Sequence, residues 1–558
     1  MINMTSVRIF SAFVLVLVLS GAHMIRAQNV VPRFTDITRE SGIDFLYNFG
    51  DESYENILES SGSGVTVFDY NNDGLMDLYL LNGTYLPGIS DQRGKKYEGS
   101  TNAFYKNNGD GTFQDVSTAS GLDDPSWGMA AAPVDIDQDG YQDLYLLNYG
   151  ENKFLRNNGD GTFTDRTEKY GLKGPVELNG FVKWSIGAAF WDQNSDGRLD
   201  VMVGNFLAFD PDYVSAEAPD MMPHPSEYRG QASMLYEQQE DGSFKTVSKQ
   251  LGLFYPDSKC MGLSVFDYDG DGDLDIFQAN DHQQNFLFRN DSGKYKEVGV
   301  ASGVATNSNG QETGSMHATL GDVDGDGLVD ILVTDLKYGA LYKNMGSGLY
   351  KDITESSGIA GPMRGKGCWG ASFLDFDNDG DLDLVTANGT AEELILQYPL
   401  LLQNDGAGRF KDAGKTAGSY FGTKRSGRGL AVLDYDNDGD IDILISHVDL
   451  QAAPALLRND SGKEHHWLGL TLTGPLGLSS GLGATVTLEA GGKKQVAINQ
   501  WSMGYLSNND PRLHLGLGKA AKIDRLVVRW PDGSEQSFKN LETDKYITID
   551  KNKGLLSP

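Results

Sequence analysis

One nine-residue phrase, written seven times, decides most of what this chain can fold into. It first reads Asp69-Tyr-Asn-Asn-Asp-Gly-Leu-Met-Asp77, and it recurs from Asp135, Asp192, Asp267, Asp322, Asp375 and Asp434, with starts 53 to 75 residues apart. Self-similarity of this kind marks a repeat architecture. A short apolar segment precedes each copy, such as Val65-Thr-Val-Phe68, and another follows, such as Leu78-Tyr-Leu-Leu81. Short apolar runs bounded by turn signals read as buried strands. Each copy is therefore the turn of a hairpin.

A second phrase also occurs seven times, beginning at Phe34, Phe113, Phe163, Phe244, Tyr295, Tyr350 and Phe410. It reads as the outermost strand of each repeat. The two phrases are offset: the series opens on an outer strand at Phe34 and closes on a loop at Asp434 with no outer strand after it. A ring accounts for the offset, with the segment near Phe34 completing the sheet begun around Asp434. The expectation is an all-β fold over residues 30–460, a seven-bladed calcium-binding β-propeller. Such a ring leaves only short, protected edges, whereas an open solenoid would need capping repeats.

The loop chemistry points to a hard cation. Position 1 is always Asp. Position 3 is Asn71, Asp137, Asn194, Asp269, Asp324, Asp377 or Asp436; position 5 is Asp73, Asp139, Asp196, Asp271, Asp326, Asp379 or Asp438; position 9 is Asp77, Asp143, Asp200, Asp275, Asp330, Asp383 or Asp442. Position 6 is always Gly, which permits the positive φ of a tight turn. Alternate carboxylates on such a turn converge on one point. Calcium takes six to eight oxygens there, the carbonyl of position 7 among them, while magnesium demands stricter geometry. An EF-hand would close on Glu at position 12; here that position is Leu80, Gln278 or Thr386 in three copies, and the flanks read as strands. The first and third loops, with Asn at position 3, should bind more weakly. Seven calcium ions would bring the formal charge of −32 to about −18, so the ions are expected to be structural.

Composition sets outer limits. So acidic a chain does not seek nucleic acid or an anionic membrane through its net field. Residues 1–27 read as a secretory signal, with Arg8 ahead of an apolar run from Ile9 to Leu19 and small residues after it. That run is too short to span a bilayer, and no second one follows. The expected location is secreted, extracellular or periplasmic. Cys260 and Cys368 are the only cysteines, so this is not a disulfide scaffold.

With these residues in place, the span 30–460 resembles the FG-GAP or VCBS repeats, the calcium-loop propellers also found in integrin α-subunits. The segments His466-Trp-Leu, Gly481-Leu-Gly-Ala-Thr-Val, Gly504-Tyr-Leu-Ser507, Asp510-Pro-Arg-Leu-His-Leu-Gly-Leu-Gly518 and Val528-Arg-Trp-Pro-Asp-Gly533 are similar to the ASPIC and UnbV C-terminal domain. The whole layout resembles the cartilage acidic protein 1 family. The resemblance implies a secreted, calcium-binding, acidic protein; it implies no settled activity. Read unaided, residues 463–552 alternate short strands with Gly turns, as expected of a small β-sandwich.

Recognition is expected on the face opposite the loops. Seven residues before each loop stand Gly62, Gly128, Ser185, Cys260, Ser315, Cys368 and Gly427, all small enough for strands around a central channel. The two cysteines are equivalent positions two repeats apart; the default reading leaves them unbridged. Thirteen residues after each first Asp stand Asn82, Asn148, Asn205, Asn280, Asp335, Asn388 and His447. This polar ring either caps local backbone or rims a pocket. Loops on the same face carry Trp127, Lys183, Trp184, Lys259, Lys366, Trp369, Arg425 and Arg428, a set suited to an anionic or carbohydrate ligand by stacking and charge-assisted bonds, or else to packing. The longest insertion, Asn205 to Met234, leaves from this face too.

Two functions compete. The first is an extracellular binding, adhesion or scaffold protein, its open face engaging a glycan or protein, with the C-terminal domain packing against it or adding a contact. The second is an enzyme, for instance one acting on polysaccharide, with its site on the same face. The sequence carries no His-Glu-x-x-His motif and no phosphate loop. Gly477-Leu-Ser-Ser-Gly481 matches a nucleophile elbow in letters but lacks the strand-to-helix context. The balance leans away from an enzyme.

Overall fold

The computed structural model describes residues 31–449, 452–500 and 504–556; the signal expected over 1–27 lies outside them. The fold is all-β and propeller-like. Each acidic loop joins the first two strands of an antiparallel set of four, as in Val65–Phe68, Asp77–Leu80, Ala103–Asn107 and Phe113–Asp115. The last set is completed from far away: Gly427–Leu433, Asp442–His447 and Ala455–Asn459 are joined by Phe34–Asp36, with Phe34 opposite Asn459. The offset between the two phrases thus has its explanation in strand pairing.

The first strands of successive sets lie side by side, beginning with Val65–Phe68 and Gly128–Val134, and Gly427–Leu433 returns to touch Val65–Phe68. Their small residues have a local reason. Gly128, Ser185, Cys260, Ser315, Cys368 and Gly427 each sit opposite the polar-ring residue of their own hairpin, at a break in the strand register. Cys260 and Cys368 are buried free thiols.

Apolar packing lies mainly between neighbouring sheets. The outer-strand aromatic of one set meets the aromatic at loop position 2 of the set before it: Phe34 with Phe376 at 6.4 Å, Phe113 with Tyr435 at 6.2 Å and Phe163 with Tyr70 at 6.5 Å between ring centroids. Each ring so buried contributes roughly 1.5–3 kcal/mol.

Beyond the ring, two four-stranded sheets face each other. One runs Leu513–Gly518, His466–Thr473, Tyr546–Asp550, Gly554–Leu556; the other runs Lys493–Ile498, Thr485–Ala490, Ile523–Arg529, Glu535–Leu541. Leu468, Leu470, Val486, Leu488, Leu526 and Trp530 fill the space between them. Among the described residues, no helix is long and apolar enough to cross a membrane.

Candidate functional site

The acidic loops share one backbone plan. In the first, the amides of Asp73 and Gly74 donate to Asp69 at 3.2 and 2.8 Å, and the amide of Leu75 donates to Asp73 at 3.0 Å. Asp77 accepts from the amides of Tyr70 and, on the third strand, Asn107, at 3.2 and 2.8 Å. Gly74 makes the turn at φ +82°. Backbone donors therefore fix the first and last carboxylates of the phrase.

Five loops each gather carboxylate oxygens of three residues within 4.8 Å of one another: Asp135, Asp137 and Asp139; Asp267, Asp269 and Asp271; Asp322, Asp324 and Asp330; Asp375, Asp377 and Asp383; Asp434, Asp436 and Asp442. In the first and third loops Asn stands at position 3, and the Asn71 and Asn194 amides donate to Asp73 and Asp196 at 2.9 and 3.0 Å.

Burial pushes the position 9 carboxyls of Asp77, Asp143 and Asp275 up to about 8, and neighbouring carboxylates add to the shift. Burial and the same crowding hold Asp375, Asp383 and Asp442 well above the usual carboxylate range. Asp269 Oδ1, Asp324 Oδ1, Asp377 Oδ1 and Asp383 Oδ2 are buried with no hydrogen-bond donor. Such oxygens are costly to bury unpaired. An all-oxygen donor set with orphaned carboxylates fits a hard divalent cation. Three loops also bring a basic side chain onto these carboxylates: Arg156 meets Asp137 and Asp139 at 2.6 Å each, Arg198 meets Asp196, and Lys343 meets Asp324 and Asp326.

Sequence reasoning missed how the loops are tied together. The side chain at position 4 donates to the position 6 carbonyl of the next loop: Asn72 to Gly140 at 2.7 Å, Gln138 to Gly197 at 3.3 Å, Asn378 to Gly439 at 3.0 Å and Asn437 to Gly74 at 3.0 Å. Ser195, Gly270 and Gly325 hold that position in the other three loops, where no such bond forms. A second tie runs backwards. Asn107, Asn157, Asn404 and Asn459, each ending a third strand, donate at 2.8 Å to the position 2 carbonyl of the preceding loop, at Tyr435, Tyr70, Val323 and Phe376. The signals were present as Asn or Gln at position 4 and as the Asn before the outer-strand turn.

The sandwich sits over the loop end of the ring. Arg512 donates to the Asp434 carbonyl at 2.9 Å and to Asn437 Oδ1 at 2.7 Å, and pairs with Asp510 at 2.6 Å. Tyr546 donates its hydroxyl to Asp434. His465 meets the Asp377 carbonyl at 2.7 Å, and Lys493 donates to the Asp379 carbonyl at 3.0 Å. A strap then enters the ring. Ser507–Asn508 pairs in parallel with Val65 and Thr66, Asp510 N bonds the Val432 carbonyl at 3.0 Å, and buried Tyr505 meets Trp369 edge-on at 4.9 Å. Gly477–Gly481 is a turn beside Asp135, with a short 3-10 helix over Leu478–Gly481.

On the opposite face most of the aromatic and basic side chains lie inside. Trp127, Trp184, Trp369 and Arg428 are fully buried, Lys183 and Lys259 nearly so, and Arg425 half-buried. They close the ring rather than offer a stacking surface. Arg428 lies 3.9 Å over the Trp369 ring and donates to the carbonyls of Ser60, Gly427 and Thr390 and to Tyr54 Oη. The polar ring is buried too. Asn82, Asn148, Asn205 and Asn280 donate to the backbone carbonyls of Thr101, Glu151, Ala232 and Gln284. Asn388 donates to Cys368 Sγ at 3.0 Å, Asp335 accepts from the Lys337 and Tyr338 amides, and His447 meets the Ala453 carbonyl and Tyr420. Most of these side chains are thus spent on nearby backbone groups.

Comparison with known proteins follows the same outline. The FG-GAP-like repeat family matches residues 94–146, 135–203, 210–278, 267–333 and 322–386, together more than half of the chain, and the ASPIC and UnbV family matches 475–555. Cartilage acidic protein 1 of Homo sapiens is 26% identical over 440 residues, covering 73% of this chain and 60% of the relative. The Xenopus tropicalis protein of that name is 30% identical over 278 residues, covering 46% and 40%. The chain thus spans about 60% of the length of its human relative. Solved structures with similarity include an Agrocybe aegerita lectin recognising non-reducing terminal N-acetylglucosamine (TM-score 0.37, 16% identity, 65% of this chain and 88% of that one). Another is the V. cholerae biofilm matrix protein Bap1 (TM-score 0.30, 12% identity, 92% and 63%).

Proposed function

Because the chain belongs to the FG-GAP-like repeat family, we propose that it is a secreted, seven-bladed calcium-binding propeller that serves as an extracellular binding or scaffold module. In this reading residues 30–460 form the propeller, residues 463–552 form the ASPIC and UnbV sandwich, and the loops hold up to seven structural calcium ions. The sandwich occupies the loop end, which leaves the other face for a partner in this reading. One observation carries that choice. Exposed large apolar side chains lie on the loops leaving the second strands: Tyr213, Val214 and Met221 in the long insertion, and Ile395 and Tyr398 in the loop after Asn388. Apolar side chains held out on loops suit contact with a partner surface, and in this reading they favour an extracellular protein over a glycan. The test is binding to extracellular-protein and glycan arrays in calcium, with wild type and with Tyr213→Ser, Met221→Ser and Tyr398→Ser combined. Binding should weaken about ten-fold or more in the variant. Binding unaffected by the three substitutions, or none to either array, would overturn this reading.

An enzyme acting on polysaccharide remains the second reading, on one observation. Asp281 is buried, its Oδ1 has no hydrogen-bond donor, and it lies 3.6 Å from His282 Nε2; the His224 ring stands 4.1 Å from that of His282. Burial pushes Asp281 up to about 8, within the range of a general acid. Release of reducing ends from polysaccharides by wild type and not by Asp281→Asn would support it; no release by either protein would remove it.

A further inference from the structure

We infer that the ion of the sixth loop is occluded beneath the C-terminal sandwich, so that binding of this ion and docking of the sandwich are coupled. The inference rests on the calcium reading above. The sixth loop differs from the others in its cover. Asp375, Asp377 and Asp383 are 4%, 1% and 2% exposed, whereas in the fourth loop Asp267 and Asp269 are half-buried and Asp271 is open to solvent. The lid belongs to the sandwich. The Gly518 amide donates to the Asn378 carbonyl at 2.8 Å, His514 Nε2 meets Asn378 Oδ1 at 2.5 Å, and His465 Nδ1 meets the Asp377 carbonyl at 2.7 Å. Gly516 passes so close that a Cβ there would strike the Asp375 carboxylate and the Asn378 backbone.

The lid covers the carboxylates without neutralising them. Its bonds fall on backbone carbonyls and the Asn378 amide, and its cation Lys493 stands 3.7 Å from Asp381, outside the gathered trio. Asp377 Oδ1 and Asp383 Oδ2 are left buried with no donor. Sealing unpaired carboxylates away from water is strongly unfavourable, and a cation among them removes that cost. Docking should therefore favour the loaded loop, and once docked it closes the way out. By linkage each event strengthens the other. Asn378 also donates to Asp440 Oδ1 at 3.1 Å, which carries the contact on to the seventh loop.

The experiment uses the full chain saturated with calcium, a fluorescent chelator in stopped flow, and a parallel count of bound ions. One ion should leave at least about ten-fold more slowly than the rest, as expected when release waits on a local opening. Gly516→Ala should abolish the slow phase while leaving the ion count within one of wild type. Hydrogen exchange at the Gly518 amide should quicken in both the variant and the calcium-stripped protein. A protein that binds no calcium would remove the parent reading. Calcium binding with a single release phase, or a slow phase untouched by Gly516→Ala, would overturn this inference and leave the parent reading standing. If Gly516→Ala does not fold, His465→Ala, which removes only the bond to the Asp377 carbonyl, is judged by the same slow phase.

Discussion

Asn437 donates its side-chain amide to the carbonyl of Gly74 at 3.0 Å, joining the seventh acidic loop to the first. The same side chain accepts from Arg512 Nη1 at 2.7 Å. One residue thus ties together the two ends of the ring and the domain that covers it.

Asn437→Ala should lower stability by about 1 kcal/mol, the usual net worth of a hydrogen bond. The cost stays small because Gly74 keeps a longer contact with Arg512 at 3.5 Å. Urea unfolding in saturating calcium measures it.

Arg512→Met should cost more, about 3–5 kcal/mol, because it leaves Asp510 buried without its cation. Arg512→Lys should rescue little, since one ammonium cannot reach Asp510, Asn437 and the Asp434 carbonyl at once. Chemical denaturation of the three proteins decides the order.

Tyr505→Ala should cost about 3 kcal/mol or more, the range for deleting a buried ring, and should loosen the strap that enters the ring. Tyr505→Phe should cost far less, about 1 kcal/mol or under, because the ring's packing is kept and only the hydroxyl's weak tie to Ser61 is lost. Thermal unfolding separates packing from hydrogen bonding here.

Calcium should reverse the pH dependence of stability. In chelator, the folded protein holds protons on Asp77, Asp143 and Asp275 up to about pH 8, whereas the unfolded chain releases them near the ordinary value of 3.8. Folded carboxyls raised in this way favour folding at low pH, and that contribution is lost as pH rises through the window up to 8. The melting temperature in chelator should therefore fall between about pH 5 and pH 8. In calcium the stabilisation should grow over the same window, because protons compete for the ligand oxygens. Parallel pH trends in the two conditions would refute the ligand assignment.

Local chemistry was legible in the sequence, and its long-range use was not. The loop register and the hairpin at every copy follow from residues within a few positions of one another, and the pairing of Phe34 with the last sheet follows from the offset between the two repeated phrases. The loop-to-loop bonds do not, because Asn72 and Asn437 resemble any turn Asn until the next loop is seen beside them. Trp127, Trp369 and Arg428 left two readings open for a related reason: aromatic and basic residues suit a ligand or a core equally well, and only packing distinguishes the two. The place of the sandwich was hidden because its contacts are spread over Arg512, Tyr546, His465 and Lys493, none of which forms a local pattern.

The strand Phe34–Asp36 also orders the folding of the chain in time. Its partner Ala455–Asn459 lies more than four hundred residues further on, and Thr35 reaches Asp460 across that whole distance. The first of the described strands to be made is thus among the last to be used. Until its partner is synthesised, the Phe34 ring and the unpaired edges of its strand lack their final cover, and pairings this distant are slow to form. During that wait the nascent chain offers an unpaired edge to other chains, so a chaperone that shields the segment around Phe34 should raise the yield of closed rings.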